Sequence, residues 1–136
     1  MDLAFKTYEE VARHLLKEFA KELDLETVES GEALVGRRSG ATWTIDAKGV
    51  RTAEGGCVIV ECRRYTTSRL KQEHVGALPY RIHDTGAAGG ILVSPMGFQE
   101  GARRVASAEG IVEVTLDEEA TTSDYVLRFL GNARIG

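Results

Sequence analysis

The run CVIVEC, Cys57 to Cys62, has the composition of a buried β-strand, yet it contains Glu61 and is followed at once by Arg63 and Arg64. At a period of two, Ile59, Glu61 and Arg63 share one face, and Val58, Val60 and Cys62 share the other. A charge removed from water is costly unless it is paired or holds a cation. This strand therefore constrains the fold strongly. Its charged face must meet either a structural ion pair or a site built around the charges.

The rest of the chain supplies a sheet for that strand. TYEEVARHLLKEFAKEL opens on a Thr7–Glu10 capping box and spaces Tyr8, Val11, Leu15, Phe19 and Leu23 helically, which predicts a helix over 7–23. Residues 26–37 read as an irregular strand broken at Gly31. ATWTIDAKGVR alternates, with Trp43, Ile45 and Ala47 towards the core and Thr44, Asp46 and Lys48 opposite. With TAEGG as the turn it forms a hairpin with CVIVECRRY over 41–65. A helix is expected from a Ser68 cap, carrying Leu70, Val75, Leu78 and Ile82, with Pro79 kinking or dividing it. GILVS is wholly apolar, as in a strand buried on both faces. FQEGARRVASAEG predicts a helix, IVEVTL an edge strand and TSDYVLRFL a closing helix. No repeat or linker divides the 136 residues, so residues 1–136 are expected to form one domain.

A turn centred on Glu54 and Gly55 would set Asp46 opposite Arg63, and Lys48 opposite Glu61. Cross-strand partners lie about 5 Å apart, so these four side chains would converge. Two carboxylates at that separation can share Mg²⁺, which prefers oxygen ligands and keeps several waters. An adjacent cation can stabilise charge developing on a phosphate.

Asp46, fourteen intervening residues and then Glu61-Cys62-Arg63 resemble the PD-(D/E)xK nuclease signature. The resemblance is to its Mrr-like branch, the type IV restriction endonucleases, which are related to archaeal Holliday-junction resolvases. It extends over residues 7–116, through Tyr8-Glu9, a Q-C-K-R-Y-like strand end at Glu61 to Tyr65, the buried ILVS strand, GFQEGARRVA and GIVEV. The resemblance implies an α/β fold with a restriction-endonuclease-like αβββαβ core, a mixed β-sheet flanked by helices. It implies a DNA endonuclease using Mg²⁺ (Mn²⁺ substituting), with Asp46, Glu61 and the Cys62 carbonyl as metal ligands and Glu9 and Gln72 as accessory residues. The other class of function for such a chain is a silent nuclease fold that binds DNA or a protein. Ile45 replaces the motif's proline, which a strand tolerates. Arg63 stands at the motif's lysine. Arginine effectively never loses its proton, so a base role there is closed and an electrostatic one stays open. Lys48 is the candidate to stand in for the lysine, while Arg63 would otherwise pair with the carboxylates.

Net charge is −4 overall, but residues 36–81 hold nine Lys/Arg against four Asp/Glu. A basic middle suits a phosphate-bearing partner, with Arg37, Arg38, Arg64 and Arg69 as expected DNA contacts. No further recognition domain fits within this length, so specificity would come from a homodimer, a companion protein or a fusion. Cys57 and Cys62 face opposite sides of one strand and do not bridge, which with the missing secretory pattern points to a reducing cytoplasm. No apolar run approaches the roughly 20 residues of a membrane span. His14, His74 and His83 share no metal-ligand spacing, and GAAGG lacks a P-loop lysine.

Overall fold

A computed structural model describes residues 8–18, 20–51, 56–63 and 68–116. The expected closing helix and the Thr7 cap lie outside them. Helix α1 (Tyr8–Glu18) is followed by a 3₁₀ turn, Ala20–Leu23. Strands β1 (Leu25–Ser30), β2 (Ala33–Val35), β3 (Thr42–Thr44), β4 (Ala47–Arg51) and β5 (Cys57–Cys62) come next. Then α2 (Gln72–Thr85), β6 (Gly89–Ser94), α3 (Glu100–Ala108) and β7 (Ile111–Thr115) complete the described chain. The main sheet runs β1-β4-β5-β6-β7, and β2 with β3 forms a separate two-stranded ribbon. The β1-β4 and β4-β5 pairs are antiparallel, whereas β5-β6 and β6-β7 are parallel and crossed over by α2 and α3. This is the mixed, helix-flanked sheet that the sequence predicts.

Alternation along the strands divides the core in two. Val28, Ala47, Val60, Ile91, Val93 and Val114 pack on Ala12, Leu15 and Leu16 of α1. Ile59, Leu92 and Ile111 pack on Val75 and Leu78 of α2 and Ala102 and Ala106 of α3. Every residue of β6 is buried, as its apolar run predicts for a central parallel strand.

Three local expectations are corrected. The long strand through Trp43 and Lys48 is instead two, bent at Ile45–Asp46, so Ile45 packs against the α2–α3 side while Ala47 packs against α1. Ser68 does not cap α2. Leu70 is held extended by bonds to Gly97 and Gln99, which delays the helix to Gln72, where the Lys71 N–H donates to His74 Nδ1 at 2.9 Å. Of the kink or division expected at Pro79, the division does not occur: α2 runs unbroken over 14 residues with Val75 and Leu78 anchored in the core.

The ribbon is tied to α2 through one buried acid. The Asp84 carboxylate accepts the Ser39 hydroxyl at 2.6 Å, the Ser39 and Arg38 N–H groups at 2.8 and 3.2 Å, and the Trp43 indole N–H at 2.8 Å. The Ser39 hydroxyl, then Trp43, hold its pKa down to about 2. The stability this adds is present above the ordinary value of 3.8 and is lost as pH falls through about 2. Gly36 lies so close that a Cβ there would sit 1.9 Å from Asp84 Oδ2. Gly36→Ala is therefore expected to lower the melting temperature by roughly 5 °C or more through overpacking, measurable by thermal circular dichroism.

Candidate active site

β4 and β5 bring the predicted carboxylates together, in a register different from the expected one. Ala47 pairs with Val60, Lys48 with Ile59 and Gly49 with Val58. The strands are thus displaced by two residues from the alignment centred on Glu54-Gly55. A shift of two preserves which side chains share a face but changes who meets whom. Lys48 lies opposite Ile59, not Glu61, and its ammonium pairs with Glu32 at 3.4 Å. Asp46 does not oppose Arg63. It lies just before the paired segment, beside Glu61, with its N–H on the Val60 carbonyl at 3.2 Å and Oδ2 accepting the Cys62 N–H at 2.7 Å.

Glu61 is 5% exposed and faces α2. Burial raises its pKa to about 7. Arg81 opposes the shift, the Asp46 carboxyl within hydrogen-bonding reach adds to it, and Arg63 opposes it more weakly. The ion-pair partner of Glu61 is the Arg81 guanidinium of α2. The pairing expected of Arg63 is corrected accordingly. Its N–H holds the Val93 carbonyl at 2.8 Å, and among the described residues its guanidinium enters no ion pair.

Sequence reasoning missed Arg81, although a signal was present. Val75 and Leu78 mark the inward stripe of α2, and Arg81 continues it three residues beyond Leu78. Trp43 was expected in the core. It is instead half-buried, with the Arg81 guanidinium 5.1 Å from its ring centroid and the Tyr80 ring edge-on at 6.0 Å. The order Asp84, Trp43, Arg81, Glu61 is one continuous set of contacts from the ribbon to the carboxylates.

The remaining predicted residues divide. Glu9 of α1 lies close enough to act on the Cys62 thiol, whose pKa is pushed up by burial first, then by Asp46, Glu9 and Glu61. The Cys62 sulfur is therefore a neutral thiol, and the donor it leaves for a hard cation is its carbonyl. Gln72 is the first residue of α2. It lies against α3, its Oε1 2.3 Å from where a Cβ on Gly101 would sit. Arg37 and Arg38 are exposed on the ribbon's turn and Arg69 is exposed before α2, while Arg64 lies outside the described residues.

Among the described residues no group of three or more His, Cys, Asp or Glu is arranged as a metal site. Two carboxylates and a carbonyl still suit Mg²⁺, which commonly takes one or two carboxylates and keeps waters. Their chemistry also fits a cation, because Glu61 is buried beside a second acid with its pKa raised. Glu113 provides the contrast. It is a buried acid with both oxygens engaged, by Arg103 at 2.9 Å and by the Phe98 N–H at 2.9 Å, and it is structural.

A family model described as a restriction endonuclease, Mrr_cat, matches residues 6–120. The protein of unknown function AF1548 has a similar structure, at 16% identity and a TM-score of 0.65, over 90% of this chain and 67% of that one. A repair endonuclease from Pyrococcus abyssi is similar at 21% identity and a TM-score of 0.50, over 85% of this chain and 50% of that one. At these identities the likeness is one of fold, and this chain spans half the length of the second. No curated protein matches the sequence.

Proposed function

The chain belongs to the Mrr_cat restriction endonuclease family, and from that premise we propose that it is a Mg²⁺-dependent DNA endonuclease domain that hydrolyses phosphodiester bonds. The observation that carries the reading is the buried Glu61 beside Asp46 at the end of β5, with its pKa raised to about 7. Asp46, Glu61 and the Cys62 carbonyl would hold Mg²⁺, or Mn²⁺ in its place, with Glu9 accessory to that end of β5. The ion would supply Lewis acidity at the phosphate. Arg63 acts as a permanent cation near the carboxylates. It offers bidentate hydrogen bonds to a phosphate but no proton-accepting nitrogen. Lys48, held on Glu32, takes no part. The two cysteines are free, which suits a reducing cytoplasm. Specificity beyond this domain would come from a second copy or a companion protein.

One observation favours a second reading, a silent nuclease fold that binds DNA or a protein. Arg81 already neutralises Glu61, so the site is partly charge-balanced without any cation. Calorimetric titration with Mg²⁺ or Mn²⁺, combined with a cleavage assay on duplex, single-stranded and branched DNA, separates the readings. Cation binding with cutting supports the endonuclease, and DNA binding without cutting supports the silent domain.

DNA binding should be strongly salt-dependent. If Arg37, Arg38, Arg64 and Arg69 each neutralise one phosphate, affinity for duplex DNA falls about 100-fold between 50 and 200 mM salt. Fluorescence anisotropy measures this slope, and a flat one removes these arginines as the contacts.

A further inference from the structure

The Glu61–Arg81 pair joins an acid proposed as a metal ligand to a cation from a different element. Arg81 reaches across from α2, its side chain 22% exposed, and its guanidinium rests against the Trp43 ring. Trp43 is itself fixed, its indole N–H on Asp84, which belongs to α2 one turn beyond Arg81. Ser39 and the ribbon turn complete the hold on Asp84. Arg81 is thus held by two kinds of contact: the carboxylate of Glu61 on its guanidinium and the Trp43 ring, over which its Cζ lies. Removing the carboxylate would leave the second in place. The guanidinium would then be a partly exposed donor, positioned beside the carboxylate site and free to accept a new oxyanion.

We propose that Arg81 is an exchangeable counter-ion: it neutralises Glu61 in the cation-free domain and, when a divalent cation takes that carboxylate, transfers to a DNA phosphate, with Trp43 and Asp84 positioning it. The inference rests on the proposed metal site and adds to it a coupling between cation and DNA that passes through one side chain. Guanidinium binds carboxylate and phosphate with the same planar, bidentate geometry, so the exchange needs no new donor chemistry. The coupling is reciprocal: a cation that releases Arg81 strengthens DNA binding, and DNA strengthens cation binding by the same factor.

Trp43 is the chain's one tryptophan, so its emission reports this contact alone. The experiment titrates the full chain with Mg²⁺ under both calorimetry and tryptophan fluorescence. It then measures affinity for a phosphorothioate duplex, which resists cutting, by anisotropy with and without the ion. Wild type is expected to show one shared midpoint in calorimetry and fluorescence, and a cation-induced gain in DNA affinity. In Arg81→Met, whose fold is checked by circular dichroism, the ion still binds at pH 9, emission no longer responds, and the gain in DNA affinity shrinks about tenfold. Arg81→Lys, which keeps the charge but not the fork, should recover only part of it. Trp43→Phe, which keeps a ring but loses the Asp84 bond, should weaken the gain while leaving cation binding intact. No cation binding to wild type overturns the metal site and the inference with it. Cation binding with unchanged Trp43 emission, or an undiminished gain in Arg81→Met, overturns the exchange while leaving the endonuclease reading standing.

Discussion

Asp46→Ala is expected to abolish measurable Mg²⁺ and Mn²⁺ binding while leaving the domain folded, and the effect should carry a pH signature. In the wild type, burial, with Asp46 beside it, raises the Glu61 pKa from 4.5 to about 7. A carboxyl whose pKa is raised by folding contributes stability that is fully present below its unfolded value. That contribution is lost as pH rises through the folded value. Between pH 4.5 and 7 the cation-free protein should therefore lose at most roughly 3 kcal/mol, the equivalent of the shift. Asp46→Ala removes a neighbour that resists ionisation, so its stability at pH 8 should equal or exceed that of the wild type. Glu61→Gln should flatten the pH profile altogether. Cation binding runs the other way. The ligand must be deprotonated, so affinity should rise through pH 7 and binding should release a proton. Calorimetry in buffers of different ionisation enthalpy measures that proton, alongside urea melts from pH 4 to 9. Retained cation binding in Asp46→Ala would remove the site.

Much of this architecture was legible because its signals are local. The 3.6-residue spacing of α1, the apolar run of β6 and the alternation in β5 each name an element by its period. The pairing of Asp46 with Glu61 was legible for a subtler reason. Misjudging the turn displaced the register by two residues, and an even displacement leaves both acids on the same face. The same displacement moved Lys48 from Glu61 to Ile59, which is how one hairpin keeps the two carboxylates together while setting the lysine opposite a different residue. The bend at Ile45–Asp46 carried no Gly or Pro to announce it. It arises because Thr42–Thr44 pair with Ala33–Val35 and not with β5.

Arg81, Trp43 and Asp84 were less visible because their roles are tertiary. An aromatic residue in an alternating strand reads as core, and an aspartate near a helix end reads as solvated. Only the return of the β2–β3 ribbon over α2 gives Asp84 four donors and sets the indole against Arg81. The basic stretch was visible as composition, yet composition does not say that one of its arginines is turned inward onto Glu61.

Arg63→Lys should keep or raise DNA cleavage with Mg²⁺ or Mn²⁺, by up to about tenfold where proton transfer limits the rate. An arginine at the motif's lysine position supplies charge but cannot take a proton. The site already has a second guanidinium in Arg81, so charge is not its scarce resource. A lysine at residue 63 would sit near two carboxylates and supply the one group the site lacks, an amine able to orient or deprotonate a water. Lys48→Ala should leave cutting unchanged, because the Lys48 ammonium is engaged by Glu32 and is not among the charges acting on Glu61. Initial rates on supercoiled plasmid, with DNA affinity measured in parallel, separate chemistry from binding. A wild type that binds DNA yet cuts nothing, joined to an Arg63→Lys variant that cuts weakly, would identify a nuclease fold silenced at one residue. A Lys48→Ala variant that binds but does not cut would return Lys48 to the chemistry and require its ammonium to leave Glu32. Loss of cutting in Arg63→Lys would show instead that the bidentate guanidinium is indispensable, and that this chain hydrolyses phosphodiesters by charge and geometry without a basic nitrogen.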